Sequence, residues 1–401
     1  MALPLDKVRV LDLTNVVAGP LASYHLAMLG ADVIKVEVPG VGDLSRKLGA
    51  DYELGKKQMG ASFLAVNAGK KSLTLNLKDP RGKEVFKKLL LTADVVLENF
   101  RPGTMKSLGL DYPVLKEINP SIIYCAVSGF GQQGPFAQRP SYDQIIQGFC
   151  GLMSLTGDQE TAPTRAGYIV CDTAAAVTAA FAISAALYRR EKQGEGEMID
   201  VSMVDTALAT MASWPVSNYL NAGKIPAPMG NDSHTSSPSG TFKTGDGLLN
   251  IVVNEQKHWR SLCDVVGRPE FKTDPRLAEA NTRMGNRHLV RELLEEALLA
   301  KSAAEWESLF SDAGVPAGLI LNLPDAIRHP QVESRQLLQR FEDVPGVGRD
   351  VEVARVGFRL GKEQPQVSTP PPQLGQDTER LLAEAGYSAD QISAFRVDGV
   401  I

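Results

Sequence analysis

The stretch 8–38, VRVLDLTNVVAGPLASYHLAMLGADVIKVEV, decides the class of the fold. It begins with a short apolar run, 8–13, and ends with a second β-branched run, 32–38. Residues of this kind favour strands. The segment between them, 20–29, has helical character, and its proline stands where the first turn of a helix tolerates one. A strand, a helix and a strand in this order predict a βαβ unit with parallel strands.

The same alternation continues to about residue 203. Apolar runs at 72–77, 94–99, 122–128 and 198–203 predict further strands, and the segments 81–91, 114–118 and the alanine-rich stretch after Cys171 predict helices. This half is therefore expected to be a Rossmann-like domain built on a parallel sheet.

The amino-acid composition changes in the next part of the chain. The loop AGKIPAPMGNDSHTSSPSG, 222–240, is rich in Gly, Pro and Ser, and the sequence after it predicts a hairpin and charged amphipathic helices. The segment 365–376 is rich in proline and precedes a helix that is expected from 378. We expect a large Rossmann-like domain at 1–221, a smaller α+β domain at 222–330, and a linker with a C-terminal segment at 331–401 that returns to the large domain.

The composition of the chain limits the kinds of partner and the location that we expect for it. A net charge of -5 and a pI near 5.7 argue against nucleic acid or an anionic membrane as the main partner. The start of the chain lacks the pattern of a secretory signal, and the four cysteines are too scattered for a disulfide framework, so a cytoplasmic location is expected. The apolar stretch 171–188 is expected to be a packed helix rather than a membrane span, because it is rich in alanine.

Several kinds of catalytic site find no support. The five histidines lack the spacing of metal ligands, so no metal is expected, and no GxSxG motif is present. The sequence GFGQQG at 129–134 follows a predicted strand, as a dinucleotide fingerprint does, but prolines at 135 and 140 oppose the helix that such a site requires. A ligand-binding loop at the carboxyl edge of the sheet is the alternative.

Carboxylate chemistry remains. Asp172 follows the apolar run YIVC and opens the alanine-rich helix, where free N–H groups and the helix dipole favour an anion. A plain N-cap is the alternative reading. Cations at loops and strand ends could hold an anionic nucleotide or could be solvated surface charge: Arg46, Lys70, Lys71, Lys78, Arg101 and Lys106.

Taken together, ordered motifs across nearly the whole chain resemble class III CoA-transferases, the family that includes formyl-CoA transferase, carnitine CoA-transferase and methylacyl-CoA racemase. The matching pieces are VLDLTNVVAGPLA, LGADVIKVEVPGVGD, KKSLTLNLKDPRGK, DVVLENFRPGTMKSLGL, INPSIIYCAVSGFGQQGP, SYDQIIQGFCGLMSLTG, TRAG, GTFKTGDG and AGVPAG. The resemblance implies that Asp172 is the nucleophile, which attacks an acyl-CoA thioester and then carries CoA as an aspartyl thioester.

The resemblance also implies positions that line CoA, which here are Val17, Ala18, Leu75, Lys78, Asn99, Phe100, Arg101, Lys106, Tyr142 and Asp143. It places an active-site loop at 229–240, where Gly230, Asn231 and Gly240 would help to form an oxyanion hole. Two positions differ from the family pattern. The loop lacks a run of glycines, and Val38 stands where an arginine binds a CoA phosphate.

Further implications concern partners and alternatives. The family forms interlocked homodimers, uses CoA and acyl-CoA as substrates, and needs no tightly bound cofactor. A 2-methylacyl-CoA racemase is the internal alternative, but Tyr142 stands where that enzyme has a histidine base. A non-catalytic CoA-binding Rossmann protein and a nicotinamide oxidoreductase are the others. Short dicarboxylates are plausible acids, because Arg165 and Tyr168 could face the acceptor.

Overall fold

A computed structural model describes residues Leu3–Ile401, and the chain forms two compact units. The first unit comprises residues up to 150, 166–216 and 333–401, and the second comprises 151–165 and 217–332. The domain limits expected at 221 and 330 fall near two of these boundaries. The sequence analysis assigns 151–165 to the large domain, whereas the structure places it in the second unit.

The first unit is built on a six-stranded parallel sheet in the order β3-β2-β1-β4-β5-β6. This is the strand order of a doubly wound fold, so the expected α/β class with a parallel sheet is confirmed. The strands of the chain are β1 (Arg9–Asp12), β2 (Asp32–Glu37), β3 (Lys71–Thr74), β4 (Val95–Glu98), β5 (Ile123–Ser128), β6 (Met198–Ser202), β7 (Ser239–Lys243), β8 (Leu248–Val252), β9 (Ala317–Leu319), β10 (Leu338–Phe341) and β11 (Val351–Ala354).

Helices connect these strands. They are α1 (Ala18–Met28), α2 (Tyr52–Lys56), α3 (Ala61–Leu64), α4 (Pro80–Leu90), α5 (Thr104–Leu108), α6 (Tyr112–Ile118), α7 (Asp143–Phe149), α8 (Leu152–Leu155), α9 (Val170–Gln193), α10 (Met203–Thr206), α11 (Ser213–Ala222), α12 (Gln256–Val265), α13 (Ala280–Gly285), α14 (Arg287–Leu298), α15 (Ala303–Asp312), α16 (Leu323–Ile327), α17 (Pro330–Ser334), α18 (Thr378–Glu384) and α19 (Ala389–Val397). Short 3-10 turns cover Leu44–Lys47 and Pro269–Lys272, and a π-helical turn covers Ala207–Met211.

Helix α9 is the longest helix of the described chain, with 24 residues. By length and composition it could cross a membrane, since its most apolar window has a mean hydropathy of 1.7. In the structure one face packs against α1, β5 and β6, and it buries small side chains such as Ala175, Ala176 and Ala179. Because alanine side chains are small, α9 packs closely against the sheet through this face.

The C-terminal segment of the first unit returns to the far edge of the sheet. Ser72 donates its N–H to Asp377 Oδ2 at 3.0 Å, and Asn76 donates to the Val400 carbonyl at 2.8 Å. Leu381 and Ile392 join the same apolar cluster as Leu73 and Phe86. These contacts cover strand β3, which would otherwise leave its unpaired edge open.

The second unit has its own core. Strands β7 and β8 form the hairpin expected from GTFKTGDGLLNIVV, and β9 pairs antiparallel with β8. Helices α12, α14 and α15 supply Trp259, Leu294 and Phe310 to an apolar cluster with Phe242 and Ile251 of the sheet. This unit is therefore an α+β structure. Pro215 lies in the first turn of α11, where proline is tolerated.

Candidate active site

A cavity of about 240 Å³ lies in the first unit, at the carboxyl ends of the strands. Between β1 and β4 the strand order reverses, and this switch point is where open α/β sheets bind ligands. The lining comes from the segments that follow four strands: 15–18 after β1, 99–102 after β4, 127–129 at the end of β5, and Met203 after β6, together with Ala137, 139–142 and Asp172. The topology thus brings these segments to one site.

The loop after β1 is fixed by buried polar groups. Asn99 accepts the Asn15 N–H at 2.8 Å and donates to the Asn15 carbonyl at 2.9 Å. Asp43 accepts the Val16 N–H at 3.0 Å, and Lys35 donates to the Thr14 carbonyl at 2.7 Å. Val16 has a φ of 69°, a left-handed conformation that β-branched residues rarely adopt. The surrounding bonds therefore hold a strained loop in place at the cavity wall.

Asp172 is the acidic side chain of the cavity lining. It is the third residue of α9, so it does not act as the N-cap, which is Ile169. Burial, and secondarily the negative charge of Asp143, raise the pKa of Asp172 to about 7. No hydrogen bond to its carboxyl oxygens is found within residues 3–401. A partly buried carboxyl group with a raised pKa is a stronger base than usual, which suits a nucleophile or a base.

The sequence argument that the helix N-terminus favours the anion of Asp172 is wrong in this structure. The N–H groups of Cys171 and Asp172 both donate to Asp143 Oδ1, at 2.8 and 3.2 Å. The donors at the start of α9 are thus used by a second carboxylate, whose charge opposes ionisation of Asp172.

Three of the predicted anion-binding cations are structural. Arg46 is buried against Glu37 at 2.7 Å, Lys70 is buried against Asp12 at 3.1 Å, and Lys71 pairs with Asp32 at 2.5 Å. Their charges are compensated within the sheet, so the hypothesis that they hold a nucleotide is wrong for these three.

The other predicted site residues lie in three places: on the cavity lining, elsewhere in the first unit, and in the second unit. Val17, Ala18, Asn99, Phe100, Arg101 and Tyr142 line the cavity with Asp172. Leu75 lies in the core, Lys78 and Lys106 are exposed outside the cavity lining, and Asp143 is buried behind it. Gly230, Asn231 and Gly240 belong to the second unit, where Gly230 donates its N–H to the Gly157 carbonyl at 2.6 Å and Gly240 pairs with Ile251 in the hairpin.

The sequence analysis did not single out several lining residues. Arg139 carries a guanidinium group 3.5 Å above the Phe136 ring, and no ion pair to it is found in the described chain. Ser128 Oγ is buried at the end of β5 without a hydrogen-bond partner among residues 3–401. In the sequence, both residues lie close to the GFGQQG motif, whose alternative interpretation is a ligand-binding loop at the carboxyl edge of the sheet. The structure agrees with that interpretation, because no helix follows directly after Gly134.

The fold and the cavity define an α/β protein that presents one carboxyl group and two guanidinium groups at the switch point of its sheet. Within the described residues no cluster of three or more His, Cys, Asp or Glu side chains could hold a metal ion.

Comparison with known proteins identifies the family. The model of CoA-transferase family III matches residues 5–378, so the chain belongs to this family, and the resemblance seen in the sequence is confirmed. The chain is 38% identical over 382 residues to the acetyl-CoA:oxalate CoA-transferase of Acetobacter aceti, covering 95% of both chains. It is 36% identical over 381 residues to the human succinyl-CoA:glutarate CoA-transferase, covering 95% of this chain and 86% of that protein. The chain is thus an enzyme of the CoA-transferase class.

Solved structures agree on the fold. A CaiB/BaiF family protein from Brucella suis superposes with a TM-score of 0.83 at 34% identity, covering 96% of this chain and 100% of that one. A protein from Mycobacterium tuberculosis gives a TM-score of 0.83 at 34% identity, covering 95% and 99%.

Proposed function

We propose that this enzyme transfers CoA from an acyl-CoA to a small carboxylic acid through an aspartyl-CoA thioester on Asp172. The proposal depends on the position of Asp172. Its carboxyl group has a pKa raised to about 7, and the residue lines the cavity at the switch point of the sheet. A basic, partly buried carboxylate is a competent nucleophile toward a thioester.

The reaction balances without a further reactant. The Asp172 carboxylate attacks the acyl-CoA carbonyl, the carbon–sulfur bond breaks, and CoA leaves as a thiolate, which gives a mixed anhydride. The thiolate then attacks the aspartyl carbonyl and releases the donor acid, which leaves aspartyl-CoA. The carboxylate of the acceptor attacks this thioester, and the thiolate returns to the acyl carbonyl of the new anhydride. Asp172 is thereby restored and acyl-CoA of the acceptor is formed.

The lining residues support CoA as the ligand. Arg101 offers a guanidinium group to phosphate oxygens, and the loops 15–18 and 99–102 offer main-chain and apolar surface. Lys78 and Lys106 remain candidates for contacts outside the cavity. We propose that CoA binds as a substrate and that no cofactor is held tightly.

The acids are proposed to be short dicarboxylates. The relatives named above act on oxalate and glutarate, and a further relative in Haloarcula marismortui is a succinyl-CoA:mesaconate CoA-transferase, 35% identical over 391 residues. A second carboxylate on the acid requires a cation in the cavity, and Arg139 supplies one. Arg165, the earlier candidate for this contact, belongs to the second unit.

Replacing Arg139 with glutamine is expected to raise KM for a dicarboxylate acceptor by about 10-fold or more, because a charge-assisted hydrogen bond is lost. KM for a monocarboxylate acceptor and for a monocarboxylyl-CoA donor is expected to stay unchanged, because neither carries a second carboxylate. Arg101→Gln is the comparison, with KM for acyl-CoA raised instead. Steady-state kinetics with paired mono- and dicarboxylates measures this. An equal rise of KM for the monocarboxylyl-CoA donor in the Arg139 variant would show that Arg139 binds a CoA phosphate instead.

A panel of acyl-CoA donors against mono- and dicarboxylic acids, read by mass spectrometry of the CoA products, tests the function itself. Transfer from at least one dicarboxylyl-CoA to a second dicarboxylate is the expected result. Hydrolysis without transfer, or binding without product, would contradict it, and the second outcome would favour the non-catalytic CoA-binding protein. Isomerisation of a 2-methylacyl-CoA would favour the racemase, although no histidine of the described chain lines the cavity.

We also propose an interlocked homodimer, in which the loop with Gly230, Asn231 and Gly240 helps to form the oxyanion hole. The outer face of α9 supports an association, because Val177, Phe181 and Tyr188 are 50%, 74% and 69% exposed. Such an apolar face is typical of a protein interface. Light scattering is expected to give twice the chain mass of 43.2 kDa, and a fully active particle of 43.2 kDa would contradict the proposal.

We propose a cytoplasmic location for this enzyme. Cys125, Cys150, Cys171 and Cys263 are buried and unpaired, which suits a reducing compartment.

A further inference from the structure

Helix α7 carries two buried polar side chains that contact the start of α9. Asp143 is the first residue of α7 and Gln147 lies four residues later, so both side chains lie on one face of this helix. Asp143 is 5% exposed and Gln147 is fully buried. Burying a carboxylate and an amide together costs free energy unless their hydrogen bonds are made.

Each side-chain oxygen and nitrogen atom of Asp143 and Gln147 forms a hydrogen bond, either to the segment that leads to Asp172 or to the other residue of the pair. Asp143 Oδ1 accepts the N–H groups of Cys171 and Asp172 at 2.8 and 3.2 Å, and Asp143 Oδ2 accepts from Gln147 Nε2. Gln147 Nε2 also donates to the Tyr168 carbonyl at 3.1 Å, and Gln147 Oε1 accepts the Ala166 N–H at 2.9 Å. Four bonds thus join one face of α7 to the segment 166–172.

No side chain of α9 itself or of its N-cap residue Ile169 caps this helix. The first-turn N–H groups would need water or another partner, and Asp143 provides it from a different helix. Because Asp143 accepts the N–H groups of Cys171 and Asp172, its position constrains the backbone at Asp172.

We infer that Asp143 and Gln147 are positioning residues, which hold the backbone of the segment 166–172 and thereby place Asp172 at the cavity. The inference rests on the proposed role of Asp172 as the nucleophile. It assigns Asp143 a role that does not require contact with CoA, although the family resemblance suggests such a contact.

Among the charged groups around the first turn of α9, Asp143 is the one that opposes ionisation of the Asp172 carboxyl group. Other titratable or charged groups lie on this turn, on the elements packed against α9 and on the cavity wall: Cys150, Cys171, His25, Asp205, Tyr142, Arg101 and Arg139. Burial raises the pKa of Asp172 to about 7, and among these charged groups it is Asp143 whose charge adds to the rise.

The test compares two substitutions across the pH range from 5.5 to 8.5. Asp143→Asn keeps an acceptor for the Cys171 and Asp172 N–H groups but removes the charge and sets a donor against Gln147. We expect the acid limb of the pH profile of turnover to move to lower pH, with a plateau about 10-fold lower. Gln147→Leu keeps the charge but frees Asp143, so we expect a lowered plateau with the acid limb unmoved.

Asp51→Asn is the matched control. Asp51 also accepts two backbone N–H groups at the start of a helix, from Glu53 and Leu54 at 3.1 Å each, but it does not line the cavity. Its turnover and pH profile are expected to match those of the unaltered enzyme. Thermal melting identifies variants that fail to fold.

The inference is overturned if folded Asp143→Asn enzyme keeps both the plateau and the acid limb, or if folded Gln147→Leu enzyme keeps its plateau when the Asp143 variant does not fold. Failure of the proposed function is separate from this. If Asp172→Asn retains turnover, the nucleophile is wrong, whatever the Asp143 variants show. If Asp172→Asn is inactive and the Asp143 and Gln147 variants are unaltered, the positioning role alone fails.

Discussion

Replacing Asp172 with asparagine is expected to lower CoA transfer by about 1000-fold or more, because an amide cannot attack a thioester to form the anhydride. The substitution keeps the shape of the side chain, so the cavity and the N–H bonds to Asp143 should persist. Coupled assay of the new acyl-CoA measures the effect. Asp205→Asn is the matched control, since Asp205 lies in the first turn of α10 and does not line the cavity.

Stability separates a lost nucleophile from a lost fold. The pKa of Asp172 is raised in the folded state, so the unaltered enzyme loses stability as pH rises from about 4 to the folded pKa of about 7. The asparagine variant has no such charge. Its melting temperature above pH 7 should therefore equal or exceed that of the unaltered enzyme, whereas a lower melting temperature with residual transfer would contradict the assignment.

Replacing Gly129 with valine is expected to lower turnover by about 100-fold and to destabilise the fold by about 2–4 kcal/mol. A Cβ atom at Gly129 would lie 1.9 Å from Ser141 Oγ and 2.6 Å from Ser141 Cβ. Both residues line the cavity, so the side chain must displace the wall that faces Asp172. Turnover and thermal melting together measure this effect.

Two variants sharpen that test. Gly357→Val adds the same side chain where no atom lies within 4 Å, and it should leave turnover unchanged. Ser141→Gly combined with Gly129→Ala removes the clashing atoms and should recover part of the activity. Full activity in Gly129→Val would show that the segments after β5 and before α7 do not shape the site.

The class of the fold could be predicted from the sequence because each parallel strand leaves a local pattern. The runs 32–38 and 122–128 contain β2 and β5, and the prolines at 20 and 80 lie in the first turns of α1 and α4. Asp172 could be found because a polar residue directly after an apolar run at the start of a helix is conspicuous. The resemblance to a known family then gave it a role.

The rest of the site depends on contacts that leave no local pattern. Lys70 and Arg101 are both cations two residues from a predicted strand, yet Lys70 is buried with Asp12 and Arg101 lines the cavity. The role of Gln147 depends on the face of α7 that meets the segment 166–172, which no spacing in the sequence reveals. Likewise, the sequence alone does not show that Asp143 takes the N–H groups that would otherwise favour the anion of Asp172.

The account depends on a covalent bond between CoA and Asp172. Its most direct test is mass spectrometry of the protein after exposure to a dicarboxylyl-CoA and rapid acid quenching, followed by mapping of the modified peptide. The account predicts a gain of one CoA less one water on the peptide that contains Asp172, lost after hydroxylamine treatment and absent from Asp172→Asn. Turnover without this adduct, or an adduct on another residue, would contradict it.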